Sequence, residues 1–170
     1  MGGTTNALDL GRLGLSSGEA TSLTPSVALD PVELGGQRYT APGAVADVRV
    51  DVSRTTTGYA LRLRYGVNLE GPCMRCLDDA EQEISIDARE VDQPGGGDDL
   101  RSPYLDGDEL DVKSWARDAL VLALPTQIRC SADCRGLCGI CGANLNEDPE
   151  HAHEREPDPR WAKLSELKLD

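Results

Sequence analysis

Hydrophobic and polar positions alternate in three separate runs of this chain. Val48, Val50 and Val52 lie between Asp47, Arg49 and Asp51. Leu61, Leu63, Tyr65, Val67 and Leu69 then alternate with Arg62, Arg64 and Asn68, and Ile84, Ile86 and Ala88 with Ser85, Asp87 and Arg89. A period of two puts one face of each run on a core and the other in water, the signature of half-buried strands. Thr55-Thr56-Thr57-Gly58 joins the first two runs as a turn, so an antiparallel hairpin is expected. The period changes after residue 110. Val112, Trp115, Ala116, Ala119, Leu120, Leu122 and Ala123 recur at helical spacing, with Asp111 as N-cap and Pro125 as the stop. Neither a half-apolar sheet nor a one-faced helix can bury its stripe alone. The chain is therefore expected to be α+β, an antiparallel β-sheet packed by one main helix over residues 21–125, with Trp115 in the core.

The flanks read differently. Residues 1–20 are rich in Gly, Ser and Thr with scattered leucines, which predicts a flexible leader. Residues 92–103 carry two prolines, three glycines and several charges and predict a surface loop. Asp158 followed by Pro159 is a helix start signal and predicts a short C-terminal helix over 158–170, with Trp161 on its apolar edge.

Composition sharpens this. The chain has 170 residues, 39% of them hydrophobic, and no Phe, so its core is expected to be built mainly from Val, Leu, Ile and Ala, with Trp115 as its one large aromatic. The formal net charge of −13 comes from 30 acidic against 17 basic residues. Nucleic-acid binding is driven by cations that release counterions from phosphate, and no dense basic stretch is present. The charge therefore favours a basic protein partner. No stretch approaches a membrane span. Met1 to Ala20 lacks the charged-then-apolar pattern of a secretory signal. A reducing cytoplasm, with cysteines as thiolates rather than disulfides, is expected.

The chemistry is concentrated in eight side chains. Cys130, Cys134, Cys138, Cys141, His151 and His153 fall within one short stretch, and Cys73 and Cys76 form a distant pair after Gly71-Pro72. A closed zinc site takes four Cys or His ligands, often with a C-x2-C pair, so eight ligands are the complement of two closed Zn2+ sites. Gly142 can supply the positive φ a C-x2-C turn needs. Backbone N–H groups there can stabilise the thiolates, and Arg75, Arg129 and Arg135 offset the charge of sulfur-rich sites. A rival grouping puts Cys130, Cys134, Cys138 and Cys141 on one ion and leaves Cys73 and Cys76 free. Catalytic readings fare worse. A zinc deaminase needs an upstream H-x-E, yet no histidine precedes residue 73. A redox C-x2-C should open a helix in a βαβ unit, whereas Cys73 follows an antiparallel strand. The chain is expected not to be an enzyme.

The order of these motifs resembles the YceD family, the large ribosomal RNA subunit accumulation proteins. Its C-x-R-C-L motif matches Cys73-Met74-Arg75-Cys76-Leu77, its L-x-L-P matches Leu122-Ala123-Leu124-Pro125, and its C-x3-C-x-G-L-C-x2-C-G-x-N-L-N run matches Cys130 through Asn146. The likeness spans roughly residues 25 to 156. Where many relatives close that run with C-x-C, this chain has His151-Ala152-His153, imidazole in place of thiolate. Some relatives keep C-x-R-C but lack the later C-x2-C, which makes Cys138, Cys141, His151 and His153 one unit and Cys73, Cys76, Cys130 and Cys134 the other. The resemblance implies a zinc-knuckle module over 126–157 appended to the core, and a role in accumulating or processing large-subunit ribosomal RNA. With the acidic charge, this predicts binding to a basic ribosomal protein or assembly factor on a pre-ribosomal large-subunit particle. Direct RNA binding, or metal or redox handling, are the alternatives.

Overall fold

The computed structural model describes residues 4–97 and 100–153. The helix expected over 158–170, with Trp161, lies outside the described residues. The central feature is one long hairpin. Strands β8 (Tyr59–Pro72) and β9 (Asp79–Asp92) pair antiparallel along their whole length, from Tyr59↔Asp92 to Pro72↔Asp79, without a bulge. At 14 residues each, they extend for ~45 Å. β2 (Ala20–Leu23) and β7 (Arg49–Arg54) complete a four-stranded antiparallel sheet in the order β2-β7-β8-β9.

The expected hairpin turn is present. Thr55 N–H donates to the Gly58 carbonyl at 2.9 Å, and Gly58 N–H donates to Thr55 Oγ1 at 3.0 Å. Register keeps the alternating residues on one face. Val50, Val52, Leu61, Leu63, Leu69, Ile84 and Ile86 are all buried. The helix α1 (Val112–Ala123) covers them, starting where Asp111 accepts a bond from Ser114 N–H at 2.9 Å. Trp115 is buried and stacks on Tyr104, and Tyr65 Oη donates to the Ala116 carbonyl at 2.7 Å, tying sheet to helix. The α+β expectation holds at this level. Among the described residues no helix is long and apolar enough to cross a membrane.

Two expectations about residues at the margins fail. Leu122 was expected on the apolar face of the helix, but it is 86% exposed, and Val121 beside it is exposed too. Leu122 lies about two turns beyond Trp115 on nearly the same side of the helix. It belongs to the last turn, however, where Val121, Leu122 and Ala123 are all exposed because none of the described residues covers that end of the helix. The leader is also not a free tail from Thr4 onward. β1 (Leu8–Asp9) pairs with β11 (Glu109–Leu110), which also pairs with β10 (Leu105–Asp106). Leu10 is 1% exposed, and Lys113 N–H donates to the Asn6 carbonyl at 3.1 Å. The scattered leucines lack a period because a two-residue strand and a 3-10 turn (Gly11–Leu13) carry them. Their burial at a sheet edge outweighs the entropy of the segment's small polar residues.

Two smaller strand pairs finish the described fold: β3 (Ser26–Ala28) with β6 (Val45–Asp47), and β4 (Val32–Leu34) with β5 (Gln37–Tyr39). Tyr39 of β5 closes over the far end of the long hairpin, where its Oη donates to the Pro72 carbonyl at 2.8 Å. A Cβ on Gly71 would lie 2.4 Å from the Tyr39 ring, so only glycine admits this contact. That contact fixes the end of the hairpin carrying Cys73. The 92–103 loop is closed at its base by buried Asp92, which accepts from Ser102 N–H and from Arg101 Nε, both at 3.1 Å.

Candidate metal centres

The connection between β8 and β9 is a C-x2-C turn. Arg75 N–H donates to Cys73 Sγ at 3.4 Å, and Leu77 N–H donates to the Cys73 carbonyl at 3.0 Å. The same turn recurs further on, with Ile140 N–H on Cys138 Sγ at 3.5 Å and Gly142 N–H on the Cys138 carbonyl at 2.9 Å. Gly142 has the expected positive φ, 75°. The equivalent residue of the first turn is Leu77, with φ 66°. A leucine thus holds a left-handed conformation that costs a non-glycine residue roughly 1–2 kcal/mol.

After α1 the chain passes Pro125 and returns under the hairpin end. The Ile128 carbonyl accepts from Met74 N–H at 2.9 Å, which carries Cys130 and Cys134 up to the first turn. Cys73 Sγ lies 3.8 Å from Cys134 Sγ, and Cys76 Sγ lies 3.4 Å from Cys130 Sγ. Four sulfurs around one ion at 2.3 Å form a tetrahedron with edges of about 3.8 Å, far longer than the ~2.05 Å of a disulfide. These four donors therefore fit a closed tetrahedral zinc site. Cys73, Cys76 and Cys134 are buried in the hydrophobic core, and only Cys130 is exposed.

The second group is Cys138, Cys141, His151 and His153. His151 Nε2 stands 3.1 Å from Cys141 Sγ and 3.0 Å from His153 Nε2, which is itself 3.2 Å from Cys141. These contacts are a few tenths of an ångström tighter than the edges of a mixed S2N2 tetrahedron, about 3.4–3.6 Å. Both imidazoles present the same nitrogen, and Asp148 Oδ2 lies 3.7 Å from the other nitrogen of His151. Within each group the four donor atoms all lie within 4.8 Å of one another. The eight candidate ligands thus assemble as two sets. Cys130 and Cys134 face the Cys73–Cys76 pair and not Cys138 and Cys141, so the rival grouping is not the one the fold makes.

The thiols are prepared unequally. Cys138 is drawn down to about 6, chiefly by the backbone N–H groups of Cys141 and Ile140. At Cys73 burial is the largest single influence and pushes upward, but several backbone N–H donors outweigh it and bring the thiol down to about 6. Burial pushes Cys76 the other way, upward. Four bare thiolates are therefore not stable together in this pocket, and a dication is the counter-charge that makes them so.

The residues that bind the two groups together were not anticipated. Asn146 Nδ2 donates to Cys134 Sγ at 3.5 Å, while its Oδ1 accepts from Arg135 N–H at 2.7 Å. This amide is the foremost influence lowering the Cys134 thiol. Asn144 Nδ2 donates to Asp78 Oδ2 at 2.8 Å. Two asparagines two residues apart, Asn144 and Asn146, shortly after the turn glycine Gly142, were the available signal. The arginines beside the cysteines also have a structural task. Arg75, Arg129 and Arg135 donate to the carbonyls of Arg135, Ala132 and Pro149, so they fasten the loops rather than bond sulfur.

The family model for the large ribosomal RNA subunit accumulation protein YceD matches residues 61–168, which takes in all but the first two residues of the long hairpin, the helix and all eight ligand candidates. The chain belongs to the YceD family. An uncharacterized protein of Mycobacterium tuberculosis is 30% identical over 169 residues, covering 94% of this chain and 80% of its own length, and one of Mycobacterium bovis matches equally. A Zea mays protein, named a chloroplastic homolog 1 of the large ribosomal RNA subunit accumulation protein YCED, is 34% identical over 76 residues, 45% of this chain and 22% of its own. No solved structure matches. YceD membership supports a ribosome-related role.

Proposed function

We propose that this YceD protein supports the accumulation or processing of large-subunit ribosomal RNA in the cytoplasm. It does so without catalysis, by holding a basic ribosomal protein or assembly factor on the pre-ribosomal large-subunit particle. In this reading Zn2+ in each of the two ligand groups is structural, and residues 126–157 act as a zinc module that shapes the end of the hairpin.

The observation that carries the choice of partner is where the cations sit. Arg12, Arg49, Arg54, Arg62, Arg64, Arg101, Lys113 and Arg117 are each engaged by a carboxylate within 4.0 Å. Arg75, Arg129 and Arg135 are engaged by backbone carbonyls. With 30 acids in the chain, the field outside the molecule repels phosphate and steers a lysine- and arginine-rich protein towards it. Direct RNA contact is the second reading. It is favoured by Arg38 and Arg89, which are exposed and make no ion pair among the described residues.

The test compares retention of protein-free large-subunit RNA with retention of partly assembled subunits across a salt series. Retention is expected only where basic proteins are present. Tight binding to bare RNA with a steep salt slope would overturn the protein-partner reading.

A further inference from the structure

The four-stranded sheet ends on β9, and β9 is an edge. Among the described residues its backbone bonds only to β8, apart from one link in which the amide of Gln82 caps the carbonyl of Glu83 at 2.9 Å. An unpaired edge of 14 residues is a template for another strand. Folds usually blunt such an edge with a proline, a bulge, inserted lysines or a covering element. β9 has no proline, glycine or lysine, and its register against β8 is unbroken.

What β9 does carry is acid. Asp79, Glu81, Glu83 and Asp87 are all exposed and alternate along the strand, so they share its solvent face. Asp87 is matched by Arg62. Asp79, Glu81 and Glu83 have no ion-pair partner among the described residues, and neither does Glu70, which lies directly opposite Glu81. Like charges facing each other across a ladder destabilise it, and cations laid beside this end of the hairpin would relieve that repulsion. The pattern also selects the occupant. A second copy of β9 would set acids against acids, whereas a strand with lysine or arginine at alternate positions would place its charges beside Asp79, Glu81 and Glu83.

We propose that the free edge of β9 is a docking edge for an extended, lysine- or arginine-rich segment of a partner protein, which adds to the sheet as a fifth strand. Main-chain bonds to β9 supply strand addition, and the acidic face supplies selectivity. The inference rests on the reading that the partner is a basic protein, and it names the surface that protein uses.

The test uses the full-length, zinc-loaded chain and a fluorescent decapeptide of alternating lysine and threonine, followed by anisotropy at about 0.15 M salt. Three outcomes are expected together. Glu81→Lys with Glu83→Lys weakens binding at least tenfold. Glu33→Lys with Glu109→Lys, the same charge change at exposed sites elsewhere, leaves it within about twofold. A lysine–proline decapeptide of equal charge, which lacks alternate N–H groups, binds at least tenfold more weakly than the threonine peptide. Hydrogen exchange should slow on binding at amides within 79–91. Equal loss in both double variants, equal binding of the proline peptide, or unchanged exchange in β9 would each overturn the proposal. Retention of partly assembled subunits separates the two ideas. If wild type and the Glu81→Lys/Glu83→Lys variant are retained equally, the docking edge is wrong while the protein-partner reading stands. If wild type itself is not retained, that reading has failed.

Discussion

At the scale of single residues, the two C-x2-C turns make the same backbone path with different residues at the same position. Gly142 occupies the left-handed region at φ 75° freely, while Leu77 occupies it at φ 66° with its side chain 56% exposed. Leu77 therefore carries strain that no burial offsets. Leu77→Gly should stabilise the protein by about 0.5–1 kcal/mol, since relief of the steric cost exceeds the added freedom of glycine in the unfolded chain. Thermal unfolding checks this: an unchanged or lower Tm would mean that Leu77 makes a stabilising contact. Asp51 is a second informative residue. It accepts from Ser22 Oγ at 2.6 Å, Arg49 Nε at 3.0 Å and Arg64, and those bonds, Ser22 foremost, hold its carboxyl well below the usual carboxylate range. A depressed carboxylate contributes stability above its unfolded pKa, about 3.9, and loses it as pH falls through the folded value. Asp51→Asn should cost about 1 kcal/mol at pH 7, and the gap to wild type should close as the pH is taken below about 4. A gap that persists at low pH would assign the effect to packing.

At the scale of elements, the two ligand groups differ in what they join. Cys73 and Cys76 sit at the closed end of β8–β9, and Cys130 and Cys134 follow the helix, so one ion there would lock hairpin and post-helix segment together inside the core. The second group closes a local loop from Cys138 to His153. Where structural zinc binds, its binding free energy is folding free energy. Cys76→Ser should lower Tm of the whole molecule by about 10 °C or more, whereas Cys141→Ser should loosen residues 138–153 and shift Tm by only about 2–3 °C. Native mass spectrometry of the wild type should count two zinc ions, and His151→Ala with His153→Ala should leave one. Equal thermal effects, or loss of both ions together, would indicate a single cooperative cluster.

At the scale of the whole molecule, charge is distributed with a division of labour. One half of the outer sheet face pairs Arg49, Arg62 and Arg64 with Asp51 and Asp87, and so spends its cations internally. The other half, nearer the ligand groups, presents Glu70, Asp79, Glu81 and Glu83 in the register of the hairpin. A net charge of −13 lowers stability through self-repulsion and gives the molecule a long reach towards cations. Both consequences weaken with added salt, so affinity for a basic partner and the salt tolerance of the fold should move in opposite directions.

Local regularity was enough for the hairpin, the helix and the ligand inventory. Alternation from Tyr59 to Leu69, the Asp111 cap and the C-x2-C spacings are short-range facts, because periods of 2 and 3.6 and the bite of two thiolates on one ion are set within a few residues. Tertiary structure alone decided the rest. It set Cys73 beside Cys134 across 61 positions. Ligand spacing left that grouping open and only the resemblance to relatives implied it, since donors that far apart meet only after the hairpin end and the post-helix segment have packed. It buried Leu10 against a sheet whose other strand lies a hundred residues away, and a two-residue strand has no period to read. It left Leu122 in solvent with the rest of the last helical turn, because how far a helix reaches beyond the surface it covers is set by the assembled fold and not by its apolar spacing. It also left β9 without a neighbour, since which strand of a sheet is its edge is a property of the assembled order and not of any stretch of sequence.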